Sequence, residues 1–332
     1  MTYSVGGLIQ ASDFNTFTSS AGGINDIWAT GTGDKGWGQT GFSGVSVGNT
    51  VFASSWASLV NTIKAAANHT GTTITSRTAP VVGNIVSILP AIATDITNCT
   101  NNRGNATLSG TETGSFGGTT SKTTATGSGQ TAWTITFTTT ITFGNANQAR
   151  WFFNAGGIVR IKYGKSSTGT DSDPDWNTFA GQCGTINFTG RVAGAAQTIA
   201  GVSYTGTTRI GGTGGTQTTL ATTTGWYSLT GGAAATTIFQ LNNATSPYTG
   251  EYIRTTAAVD SGRSVLTLVT TWVSDGSSGA GTTANISGGT ATTNPSTTIT
   301  GTAPTTLVTL VPPSSTYLSA SWGTPAVFTS VT

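Results

Sequence analysis

Apolar residues alternate with threonine over much of this chain, and the alternation changes period in a few places. Ile135, Phe137, Ile141 and Phe143 are separated by threonines, the period-two pattern of a strand with one face buried. The segment 265–273 predicts a long strand, apolar except for threonines. Shorter strands are expected at 185–188, 226–229, 238–241, 252–254 and 307–310. Residues 150–163 predict two strands around the turn 154–157, whose Asn and Gly residues tolerate positive φ. Helical spacing is confined to the first third. Trp56, Leu59, Val60, Ile63 and Ala67 form one apolar stripe, and Ile92, Ile96 and Cys99 another. Phe14 and Phe17 begin a weaker helix that Gly22 and Gly23 interrupt.

That first third carries an internal repeat. Residues 5–14 (VGGLIQASDF) parallel 47–56 (VGNTVFASSW), with a looser copy at 82–90 (VGNIVSILP). Each reads as a glycine turn, an extended piece and a helix start. Ser12 and Ser54 are the expected N-caps, and Pro90 suits a first helical position. The predicted organisation is an N-terminal helical docking module at 1–107 and a Gly/Ser/Thr linker at 108–130. One or more antiparallel β-sandwich-like domains follow at 131–332, with an extended loop near 276–306. The predicted fold class is mainly β.

Composition sharpens this picture. Only 7% of the 332 residues are charged, against roughly 25% in an ordinary soluble domain, and 47 are glycine. Solubility must come from hydroxyls and amides. The nine tryptophans argue against a disordered chain. The formal net charge is +2, with 13 basic residues scattered along the sequence, so no nucleic-acid footprint is expected. Arg160 and Lys162 share one strand face and read as solvated. No apolar run is long enough for a membrane span. The opening residues lack the basic and apolar regions of a signal peptide, so synthesis in a cytoplasm without general export is expected.

Reactive groups are scarce: two glutamates, nine aspartates, one histidine and two distant cysteines. Gly31, Gly33 and Gly36 match the dinucleotide fingerprint by letter, but no strand precedes them and no acidic residue follows about 20 positions on, so a structural loop is expected. Asp171, Asp173 and Asp175 alternate on what reads as a loop. They could offer oxygens to a cation, but the glycine and glutamate of a calcium loop are missing. A glycosidase would need two facing carboxylates; Glu251 and Asp260 lie in one β region, but nothing in the pattern marks them. His69 follows a helix and reads as a C-terminal cation or surface residue. Cys99 is expected to be buried and reduced. Trp176, Trp226, Tyr227 and Tyr248 lie near turns and could stack on sugar rings, the alternative being core packing. No cofactor and no catalytic residue are expected.

Five separated motifs carry a resemblance. They are 31–39 (GTGDKGWGQ), the paired Val-Gly…Ala-Ser segments, 100–103 (TNNR), 152–160 (FFNAGGIVR) and 317–325 (YLSASWGTP). In this combination and order the chain resembles a group of virion structural proteins of marine and freshwater tailed phages, especially cyanophages. The resemblance implies a non-enzymatic tail, baseplate or tail-fibre component, assembled in the host cytoplasm and located in the virion. Its partners would be other virion proteins and further copies of itself, with a trimer suggested by analogy to fibres. The alternatives are a receptor-recognition module that binds a host-surface glycan and a capsid decoration protein. The resemblance transfers no functional residue.

Overall fold

The computed structural model describes residues 11–46, 48–82, 89–113, 132–165, 172–190, 196–245, 249–275 and 304–332. Helices α1 (Ala11–Phe17), α2 (Asn25–Trp28), α3 (Ala53–Thr70) and α4 (Leu89–Asn101) come first. Next are β1 (Ala132–Thr142), α5 (Ala146–Asn154), β2 (Ile158–Gly164), α6 (Ser172–Gln182) and β3 (Thr185–Phe188). The short strands β4 (Gln197–Ile199), β5 (Val202–Tyr204), β6 (Thr207–Ile210) and β7 (Thr216–Leu220) follow. The chain ends with β8 (Thr236–Asn242), β9 (Tyr252–Val259), β10 (Val265–Asp275), β11 (Thr305–Val311) and β12 (Ala326–Val331).

The protein is mainly β, as its alternation predicts. One sheet has the order β12-β1-β10-β9-β8-β7, a second the order β11-β2-β3-β6, and β4-β5 form a hairpin. Each pairing between these strands is antiparallel. Threonine and valine suit these strands because a branched β-carbon fits a pleated surface. In β1 the buried positions are Ile135, Phe137, Thr139 and Ile141, while the threonines between them look outward. The two larger sheets face each other in a sandwich-like arrangement. Tyr163 of β2 stacks on Phe239 of β8, with ring centroids 5.9 Å apart. Its hydroxyl lies 2.7 Å from Thr255 Oγ1, which lies 2.9 Å from Thr270 Oγ1. Trp272 of β10 donates its indole N–H to Thr306 of β11 at 3.1 Å. These hydroxyls and the indole N–H are buried and each has a partner, as a low-dielectric interior favours.

The apolar core crosses residue 107. Phe14, Phe17, Ile24, Trp37, Trp56 and Ile63 belong to the same buried cluster as Phe137, Phe152, Phe188 and Trp272. A smaller cluster of Ala106, Ile158, Ile199, Tyr204 and Val311 lies beside it. Residues 109–113, predicted as linker, run along β11: Gly110 N–H donates to Pro312 O at 2.9 Å and Thr113 N–H to Leu310 O at 2.8 Å. Glu112 there receives Arg160 at 2.8 Å and Lys162 at 3.2 Å, so those two cations share a carboxylate on their strand face. The rest of the linker, most of the 276–306 stretch and the first and third repeat starts lie outside the described residues.

Several local expectations are overturned. Residues 150–154 are helical, because Asn145 caps α5 by accepting Gln148 N–H at 3.0 Å. Ala149, Phe152 and Phe153 then share one buried helical face. Residues 226–228 form a 3₁₀ turn instead of a strand, with Trp226 N–H bonded to Thr189 O at 3.0 Å. Ser54 lies inside α3; Phe52 occupies its N-cap position, with no side-chain cap. Ser12 likewise lies within α1.

Candidate functional site

A dense polar cluster surrounds the glycine loop at 30–39. Its ends close on each other, with Gly38 N–H donating to Ala29 O and Gln39 N–H to Trp28 O, both at 2.9 Å. Gly36 has φ +91°, and a Cβ there would lie 2.1 Å from Thr30 O, so the loop closes only with glycine at this position. The loop turns its carbonyls toward α5. Arg150 donates to Lys35 O at 3.0 Å and Thr30 O at 2.7 Å, Trp151 to Thr30 O at 3.1 Å, and Asn154 to Gly36 O at 3.0 Å. A phosphate cradle needs converging N–H groups. Here carbonyls converge on a guanidinium and two side-chain N–H donors, and the fingerprint is a structural loop.

Four of the five resemblance motifs meet around this loop. Asp34 pairs with Arg103 of the 100–103 motif. Trp37 donates to Asn154 O at 3.3 Å in the 152–160 motif. Gln39 donates to Ser319 O at 2.9 Å and accepts Ser319 N–H at 2.7 Å, fixing the 317–325 tail. The Tyr227 hydroxyl reaches Asn154 Oδ1 and lies 3.2 Å from Gly33 O. Burial pushes its phenol well above the usual range, with the Arg150 charge opposing. Most groups of the cluster bond to one another, while the buried Nε of Arg103 has no partner.

His69 belongs to the same neighbourhood, and its expected role as an exposed cation is overturned. It is 1% exposed, and its ring sits 5.1 Å from that of Trp37. Burial pushes the imidazole down to about 4, against a hydrogen bond 3.1 Å long from Nε2 to Ala155 O that favours the charged form. At neutral pH the ring is uncharged and donates an N–H to that carbonyl.

The remaining candidates are dispersed. Trp176 is 1% exposed, packed against Trp272 and Phe179. Trp226 is 3% exposed, stacked on Phe153 at 5.5 Å, with the Arg263 guanidinium 4.2 Å above its ring. Rings enclosed in this way offer no face to a sugar. Tyr227 is half-buried in the loop cluster, and Tyr248 lies outside the described residues. Asp171 does too, while Asp173 and Asp175 lie on the backbone of α6, not on a loop. Among the described residues no group of three His, Cys, Asp or Glu side chains could hold a metal.

Glu251 and Asp260 flank β9 at opposite ends, nine residues or roughly 30 Å apart at the usual rise of a strand, and do not face each other. Glu251 is buried and accepts from Asn243 at 3.2 Å. Asp260 staples the β9–β10 turn. Its slight burial pushes the carboxyl up, but the N–H groups of Val265, Ser264 and Gly262 together hold it below its usual value. Cys99 and Cys183 are buried free thiols, and burial pushes Cys99 up to about 11. No described helix is long and apolar enough to cross a membrane.

The convergence of motifs on one loop is the feature that sequence reasoning missed. Its signal was the set of side chains with both donor and acceptor, Gln39, Asn145 and Asn154, next to glycine turns. Compared with known protein families, curated proteins and solved structures, the chain matches none.

Proposed function

We propose that this chain is a non-enzymatic structural component of a tailed-phage virion, belonging to its tail, baseplate or tail fibre and acting through protein–protein assembly. The observation that supports this reading most is the use made of the scarce reactive groups. His69 is a neutral donor inside the core, Asp260 holds a turn, and Asp34 and Arg103 fasten a loop. These residues maintain shape. The resemblance motifs, which would carry a site if the family had one here, bond to each other across the molecule. A surface poor in charge and rich in hydroxyls suits lateral packing among neighbours, because few ions need desolvation when two such surfaces meet.

The test is mass spectrometry of density-purified particles from cells producing this chain. The expected result is recovery of the chain at many copies per particle, at constant ratio to the other tail proteins across the gradient. Its absence from intact particles, with the chain left in the soluble lysate, overturns the reading.

A further inference from the structure

The four outer edges of the two larger sheets are treated differently. The edge of β11 is bridged by 109–113 through Gly110 and Thr113. Strand β6 is four residues long and carries Arg209. Strand β7 is broken by an irregularity between Gln217 and Thr219. Short length, charge and bulges are the usual protections of an edge. Strand β12 has none of them. It runs six residues (AVFTSV) without charge, proline or bulge, in unbroken register with β1. Among the described residues β1 is its one strand neighbour, and Phe328 at its centre is 64% exposed.

The hydrogen-bond phase of this edge follows from its inner pairing. Thr136 and Thr332 exchange both backbone bonds, at 2.8 and 2.9 Å. In an antiparallel ladder such pairs alternate with non-bonded ones. Positions 328 and 330 therefore turn their backbone groups toward β1, and Val327, Thr329 and Val331 turn theirs outward.

We infer that β12 is a dimerisation edge, pairing antiparallel with β12 of a second copy of this chain. A two-fold axis at Thr329 brings Thr329 opposite its own symmetry mate and Val327 opposite Val331, each a pair that exchanges two bonds. About six new backbone hydrogen bonds result. In the same register Phe328 lies opposite Ser330, large against small, and no charged residues oppose each other. The contact is isologous and closes at two copies, making one continuous sheet through both molecules. The inference is independent of the virion reading.

The test uses the full chain in sedimentation velocity and in hydrogen exchange resolved to single amides. The expected species is a dimer in the range of about 1 to 100 µM. The amides of Val327, Thr329 and Val331 are expected to exchange about tenfold or more slowly as the dimer fills, while those of Phe328 and Ser330 stay slow throughout. Thr329→Pro removes one outward N–H and leaves the backbone ladder to β1 intact, losing only the hydroxyl contact to Thr139 (2.9 Å), and is expected to give a folded monomer. Phe328→Lys brings two like charges to diagonal positions across the axis and is expected to do the same if the proline variant fails to fold. A wild-type monomer across this range, a mass of three copies, or a dimer that persists in the folded variants overturns the proposal.

Discussion

His69 shows how burial changes the meaning of a residue. Next to a helix C-terminus it reads as a cation; inside the core it is a neutral donor whose charged form is penalised. Its folded pKa, about 4, lies below the usual value of about 6.5. The unfolded chain therefore binds the proton first on acidification. The stability contributed is complete above about pH 6.5 and is lost as pH falls toward 4, amounting to about 3 kcal/mol. Urea unfolding midpoints between pH 7 and pH 4 should fall accordingly, and His69→Gln should flatten that part of the profile. The burial of Trp176 and Trp226 belongs to the same lesson. An aromatic beside a glycine turn looks exposed in sequence, whereas here Phe153, Phe179 and Trp272, distant or differently predicted, complete the packing.

At the scale of elements, α5 is the piece on which the loop cluster depends. Replacing its cap, Asn145→Ala, leaves the Gln148 N–H without its acceptor and is expected to cost about 1 kcal/mol in thermal or chemical unfolding. Long strands were legible to different degrees: alternation with threonine marks β1, β10 shows as an apolar run broken by threonines, and only 252–254 of β9 are predicted although its burial alternates to Val259. Helix α5 was not, because Trp151, Phe152 and Phe153 favour strands by propensity. Only the cap and the spacing of Ala149, Phe152 and Phe153 argue the other way. The very short strands β4, β5 and β6 carry too few residues for a period to show. Their existence depends on pairing with distant partners, such as Ala106 against Ile199 beside the β4–β5 hairpin.

At the scale of the whole molecule, the helical third and the sheets share one apolar cluster, so neither encloses its own core. Calorimetry of the full chain should show one cooperative transition, with melting of α3 and loss of the sheets at the same temperature. Two separated transitions would mean that the shared packing contributes little. Fold class was legible from composition and period; the candidate site was not. The contacts that build it, such as Gln39 to Ser319 and Asp34 to Arg103, join segments far apart in sequence, and spacing along a chain does not encode them.

The hydroxyl relay from Tyr163 through Thr255 to Thr270 gives the interior an orientation as well as a volume. Each hydroxyl has a single proton to give: when Thr255 gives its proton to Tyr163, Thr270 must donate to Thr255, and when Tyr163 donates, the Thr255 proton is left for Thr270. A valine at 255 would fill the same space and interrupt the sequence of protons in its middle, stranding the groups on both sides at once. One directional bond thus ties β2 of one sheet to β9 of the other, which an all-apolar contact would not supply.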